Sequence, residues 1–121
     1  MKKKIPLYQP NLSGDEKKNV LKCLSKNWIS SKGEFVKKFE NSFKKKFNYK
    51  FATVTTNGTT ALHLALMALD IKKGDEVIVP NLTYVAPVNA INYVGAKPIL
   101  IDVNNENWLM EIDKIKKKIN K

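Results

Sequence analysis

Arginine is absent from this sequence; all 22 basic residues are lysine. Bidentate recognition of guanine and phosphate relies on the guanidinium fork, and lysine offers only a flexible point charge. No interleaving of aromatic and basic residues of the RNA-binding kind is present either, so the net charge of +11 does not read as a nucleic-acid interface. The clusters Lys2–Lys4, Lys44–Lys46 and Lys116–Lys118 read instead as a solvated terminus and solvated helix faces. Cysteine is reduced to Cys23 alone, which excludes an internal disulfide framework or a cysteine-built metal site and fits a reducing cytoplasm. Long apolar runs are missing as well. Lys, Asp or Asn interrupts every candidate, so no membrane span is expected. The opening Met1-Lys2-Lys3-Lys4-Ile5-Pro6 has charge but no apolar stretch behind it, so a signal peptide is not expected.

What the chain does contain is enough apolar content, 43%, for a core, within 121 residues that make one domain's worth of chain at most. Ser13 and Glu16 have the spacing of a capping box, predicting a helix from there toward Lys26. A polar hinge with one large aromatic, Trp28 to Gly33, follows. Phe35, Phe39, Phe43 and Phe47 then recur every four residues, which predicts a helix with one apolar stripe committed to the core.

From Phe51 the pattern changes to alternating strands and helices. Phe51–Thr55 reads as a strand, Thr59–Leu69 as a helix apolar on nearly every face, and Glu76–Pro80 as a second strand. Thr83–Val94 reads as a helix ended by Gly95 at C′, and Lys97–Asp102 as a third strand. Ile112, Ile115 and Ile119 mark a last amphipathic helix. Near-continuous apolar strands alternating with helices predict an α/β fold with a parallel sheet.

In such a sheet ligands collect beyond the carboxyl ends of strands, at helix N-termini. Two strand ends carry chemistry. Thr55-Thr56-Asn57-Gly58-Thr59-Thr60 offers close backbone approach at Gly58, with the N–H groups and hydroxyls of Thr59 and Thr60 at a helix start. It can hold a phosphate, or it can be an Asn-Gly turn with a threonine cap and no ligand. At the second end, Tyr84 can offer its face to a flat heterocycle or sit half-buried with its hydroxyl in water. His63, the only histidine, reads as a packed structural residue, and Asp102 as a strand-end or capping residue.

The run from Thr56 to Val103, with NGTTALHLAL followed by GDEVIVPNLTYVAP, resembles the N-terminal large-domain segment of the DegT/DnrJ/StrS-type sugar aminotransferases. The upstream pieces Pro10-Asn11-Leu12-Ser13, Asn27-Trp28-Ile29-Ser30 and Gly33-Glu34-Phe35-Val36 fit the same register, so the likeness covers about Ile5 to Ile119. It implies pyridoxal 5′-phosphate (PLP) as cofactor and the PLP fold type I, like aspartate aminotransferase. Gly58, Thr59 and Thr60 would hold the cofactor phosphate, and Tyr84 would stack on the pyridine ring. On this likeness residues 1–50 form an N-terminal helical segment, and 51–121 the first part of an incomplete PLP-binding large domain. The Asn-Leu-Thr-Tyr-Val-Ala form and Glu106-Asn107-Trp108 are similar to the perosamine-synthase-like branch of that family. The implied reaction moves an amino group, usually from glutamate, to a keto-sugar nucleotide such as GDP-4-keto-6-deoxymannose, in a homodimer, for surface-polysaccharide sugars.

In the resembled family the lysine that binds the cofactor lies in a Ser-rich loop, in a part corresponding to sequence beyond Lys121. No lysine here sits in a matching loop, so the chain alone is expected to be inactive, and its fold to leave an open sheet edge and an exposed apolar face. Two other readings stay open at this point. One is a PLP-dependent sugar dehydratase of the same family, which replaces that lysine by histidine. The other is a non-catalytic module that depends on a partner.

Overall fold

A computed structural model describes residues 5, 6 and 8–119; the Lys2–Lys4 cluster lies outside the described residues. The chain divides into two compact units, Met1–Val54 and Thr55–Lys121. No helix among the described residues is long and apolar enough to cross a membrane.

The first unit holds α1 (Glu16–Ser25) and α2 (Glu34–Phe47). The capping box expected at Ser13 does not form. Ser13 gives its N–H to Asn11 Oδ1 at 3.1 Å, and the helix begins only at Glu16, behind Asp15, which makes no side-chain cap. Glu16 is therefore the first helical residue rather than the third, and cannot close a box.

Glu34 at the start of α2 joins the two helices. Its carboxylate meets Lys22 at 2.8 Å and Lys26 at 3.2 Å from α1 and its end, and Lys38 at 3.2 Å from α2 itself. Lys22 and Lys38 also lie over the Phe35 ring, at 5.5 and 5.2 Å from its centre. The phenylalanine stripe is present but is not core. Phe39, Phe43 and Phe47 lean on one another and on Tyr49, yet α2 has no buried residue and Phe39 is 60% exposed. Spacing makes the stripe; burial needs a second surface, and within this unit residues 51–54 border Phe39 and Phe43 without burying them.

The second unit runs α3 (Gly58–Ala68), β1 (Glu76–Pro80), α4 (Val85–Tyr93), β2 (Lys97–Ile101) and α5 (Ile112–Lys116). β1 and β2 pair in parallel from Glu76 with Lys97 to Pro80 with Ile101, joined by the α4 crossover that parallel pairing demands. The first of the three expected strands, Phe51–Thr55, is absent. Residues 51–55 form no ladder, and the N–H of Val54 goes to Glu40 Oε1 at 3.1 Å. An apolar stretch of this length becomes a strand only when a neighbour supplies hydrogen bonds.

α3 and α4 pack together, and α4 lies against both strands. Val79, Ile91 and Ala96 are the buried centre, with Leu66, Ile71, Val77, Val88 and Val94 around them. α4 ends as the sequence predicts. Gly95 takes φ +76°, its N–H reaches the Asn92 carbonyl at 2.9 Å, and the Ala96 N–H reaches Ile91 at 3.2 Å. These are the two bonds of a Schellman ending.

Candidate functional site

The start of α3 is set by the side chain of Asn57. Asn57 is extended at φ −164°, and its Oδ1 accepts the Thr60 N–H at 2.9 Å. The Thr60 hydroxyl answers by donating to the Asn57 carbonyl at 2.9 Å, and it lies 3.3 Å from the Asn57 N–H. The Ala61 N–H also goes to the Asn57 carbonyl, at 3.1 Å. Of the donors at this helix start, those of Gly58 and Thr59 alone have no partner among the described residues. The free Thr60 N–H expected from the sequence is thus engaged, because an asparagine at N-cap reaches the third helical amide.

Gly58 is informative in another way. Its φ is not positive, and a Cβ built on it would meet nothing within 4 Å. Neither backbone conformation nor packing within the chain calls for glycine there. The open volume belongs to a cleft.

That cleft, of about 600 Å³, is lined by Gly58, Thr59, Ala61 and Leu62 from α3 and by Thr83, Tyr84, Ala86 and Pro87 from the start of α4. It lies just beyond the carboxyl end of β1, where open α/β sheets bind ligands. Tyr84, at the N-cap of α4, is 88% exposed, so its ring is available to a ligand. The structure therefore brings Gly58, Thr59 and Tyr84 to one cavity, while Thr60 stands behind the first two. Two helix N-termini border it, and their dipoles favour an anion.

His63 packs its ring against Tyr93 at 5.4 Å between centres, away from the cleft lining. Asp102 follows β2 and accepts the Val103 N–H at 2.9 Å, the strand-end role expected of it. Sequence reasoning missed the threonine hydroxyl that locks Asn57. The signal was present as Asn57 and Thr60 at capping-box spacing.

A parallel α/β fold with a cleft at the carboxyl end of β1 has the layout of a ligand-binding segment of an open α/β sheet. The family model of the DegT/DnrJ/EryC1/StrS aminotransferases matches residues 10–121, and the chain belongs to that family. It is 56% identical over 117 residues to GDP-perosamine synthase of Escherichia coli O157:H7, a match that takes in 97% of this chain and 32% of the relative. The chain thus spans about a third of the length of the curated relatives it matches. Its fold superposes with a TM-score of 0.86 on a Streptococcus pneumoniae protein described as a sugar aminotransferase, in its PLP form. That match is at 31% identity and covers 96% of this chain and 29% of the other. An E. coli GDP-4-keto-6-deoxy-D-mannose-3-dehydratase with bound hydrated PLP gives a TM-score of 0.82 at 27% identity, over 95% of this chain and 31% of that one.

Proposed function

We propose that this chain supplies the phosphate-holding and ring-stacking part of the active site of a PLP-dependent enzyme that moves an amino group to a keto-sugar nucleotide. The observation that carries the reading is the cleft shared by Gly58, Thr59 and Tyr84, with the space at the Gly58 Cβ position left open to it. The unpartnered N–H groups of Gly58 and Thr59, with the Thr59 hydroxyl, would take the phosphate oxygens. The Tyr84 ring would lie on the pyridine face. When bound, the cofactor supplies the electron sink for amino transfer; the protein's part is to hold and orient it.

Substrate class follows from the relatives. The likeness to a GDP-perosamine synthase supports a GDP-linked sugar as the substrate class. Within that class the proposal takes GDP-4-keto-6-deoxymannose as acceptor, glutamate as donor and a homodimer as the working form, in surface-polysaccharide sugar synthesis. The dehydratase among the structural neighbours supports dehydration as the second reading, at the lower identity of 27%. No lysine lines the cleft, and the 121-residue chain by itself is proposed not to turn over.

Calorimetric titration of the chain with PLP and with pyridoxal tests the reading. PLP should bind tighter than its phosphate-free analogue, and Tyr84→Ala should weaken both with little effect on thermal stability, because the ring is exposed. Equal affinity for the two ligands, or an unaffected Tyr84→Ala variant, would overturn it. Incubation with PLP, glutamate and the GDP-keto-sugar should yield no amino sugar; turnover would show that the chain needs nothing more.

A further inference from the structure

We propose that Thr60 is a positioning residue for the phosphate site rather than one of its ligands, an inference that rests on the reading of the cleft as a cofactor-phosphate site. Its hydroxyl closes a small lock at the root of the loop. It donates to the Asn57 carbonyl at 2.9 Å, lies 3.3 Å from the Asn57 N–H and Oδ1, and lies 3.3 Å from the Thr56 hydroxyl. The Thr55 hydroxyl donates to the same Asn57 carbonyl at 2.9 Å. The peptide that follows this carbonyl carries the Gly58 N–H, so holding the carbonyl fixes the direction of that donor. With its own N–H on Asn57 Oδ1 at 2.9 Å, Thr60 has no free amide for a ligand, and it is not among the cleft-lining residues. The two donors left over, on Gly58 and Thr59, are adjacent in sequence and share the cleft.

Asn57 Oδ1 needs only the Thr60 backbone, so removing the hydroxyl leaves that half of the capping box in place. It takes from the Asn57 peptide the bond to its N–H and one of three donors to its carbonyl, the Ala61 N–H at 3.1 Å and the Thr55 hydroxyl at 2.9 Å remaining, and so loosens the direction of the Gly58 N–H. A glycine directly after that peptide leaves its orientation loosely held, since Gly58 has no side chain to restrain it. A hydroxyl one turn inside the helix is a means of restraining it without filling the space the ligand needs.

The test is Thr60→Val, which keeps shape and loses the hydroxyl, beside Thr60→Ser, which keeps it. Affinities for PLP and pyridoxal are measured by calorimetry on the full chain, with far-UV circular dichroism as a check on helix content. Thr60→Val should bind PLP about fivefold more weakly while its affinity for pyridoxal and its helix content stay as in the wild type. Thr60→Ser should restore PLP affinity. Wild-type affinity for PLP in Thr60→Val would overturn the proposal, and so would parallel losses for both ligands, which would make Thr60 merely structural. If the wild type itself does not prefer PLP to pyridoxal, the phosphate site fails and this inference with it.

Discussion

The carboxylate of Glu34 lies 2.8 Å from the ammonium of Lys22, tying the first residue of α2 to the last turn of α1. Lys22, then Lys26 and Lys38, hold that carboxyl well below the usual carboxylate range, at about 2. A carboxylate depressed in the fold stabilises it above its ordinary value of 4.5, and that contribution is lost as pH falls through about 2. Glu34→Gln should therefore melt earlier than wild type at neutral pH, with the gap closing as pH drops from about 4.5 toward 2. Melts followed by circular dichroism across that range check this. A gap independent of pH would mean the ion pairs do not hold α1 to α2.

Gly58 should show stability and binding moving in opposite directions. Gly58→Ala removes a helix-weakening residue at a position with open space and an unstrained φ, so it should stabilise α3 by up to about 1 kcal/mol. The same methyl group intrudes on the cleft, so affinity for PLP should fall. A variant that melts higher and binds PLP as the wild type does would remove the case for close ligand approach there.

Gly95 is the opposite kind of glycine. At φ +76°, with a would-be Cβ 3.4 Å from the Lys73 Cβ, Gly95→Ala should cost about 1–2 kcal/mol through the left-handed backbone alone. Denaturant unfolding measures it, and an unchanged midpoint would mean that the Schellman ending of α4 contributes little.

The apolar surface sets a limit on solution behaviour. Val79, Ala90, Ile91, Ala96 and Ile101 are the buried hydrophobic residues among those described, while Phe51 is 79% exposed and Leu69 72%. With the two-stranded sheet as the ladder described, strand edges are also open. The isolated chain should self-associate as its concentration rises and bind a hydrophobic dye before any melt. Sedimentation velocity and dye fluorescence test this; a monomer with a sharp cooperative melt would contradict it.

Features governed by neighbours in the chain were legible in the sequence. The four-residue spacing of phenylalanines makes α2, Gly95 ends α4, and the apolar runs at Glu76 and Lys97 become a parallel pair. The Asn57–Thr60 interval is legible too, as the spacing of a capping box. Ser13 misled because two local devices compete for one amide, and the Asn11 side chain takes it.

Burial and pairing are different, since each needs a second surface that the local pattern does not contain. Residues 51–55 have the composition of a strand but no ladder, and the α2 stripe has the period of a core helix but no buried residue. The meeting of Gly58 and Tyr84 across one cleft is likewise a tertiary matter. Residue type and resemblance nominated both, but their proximity comes from α3 packing on α4, which places two helix N-termini side by side at the end of β1.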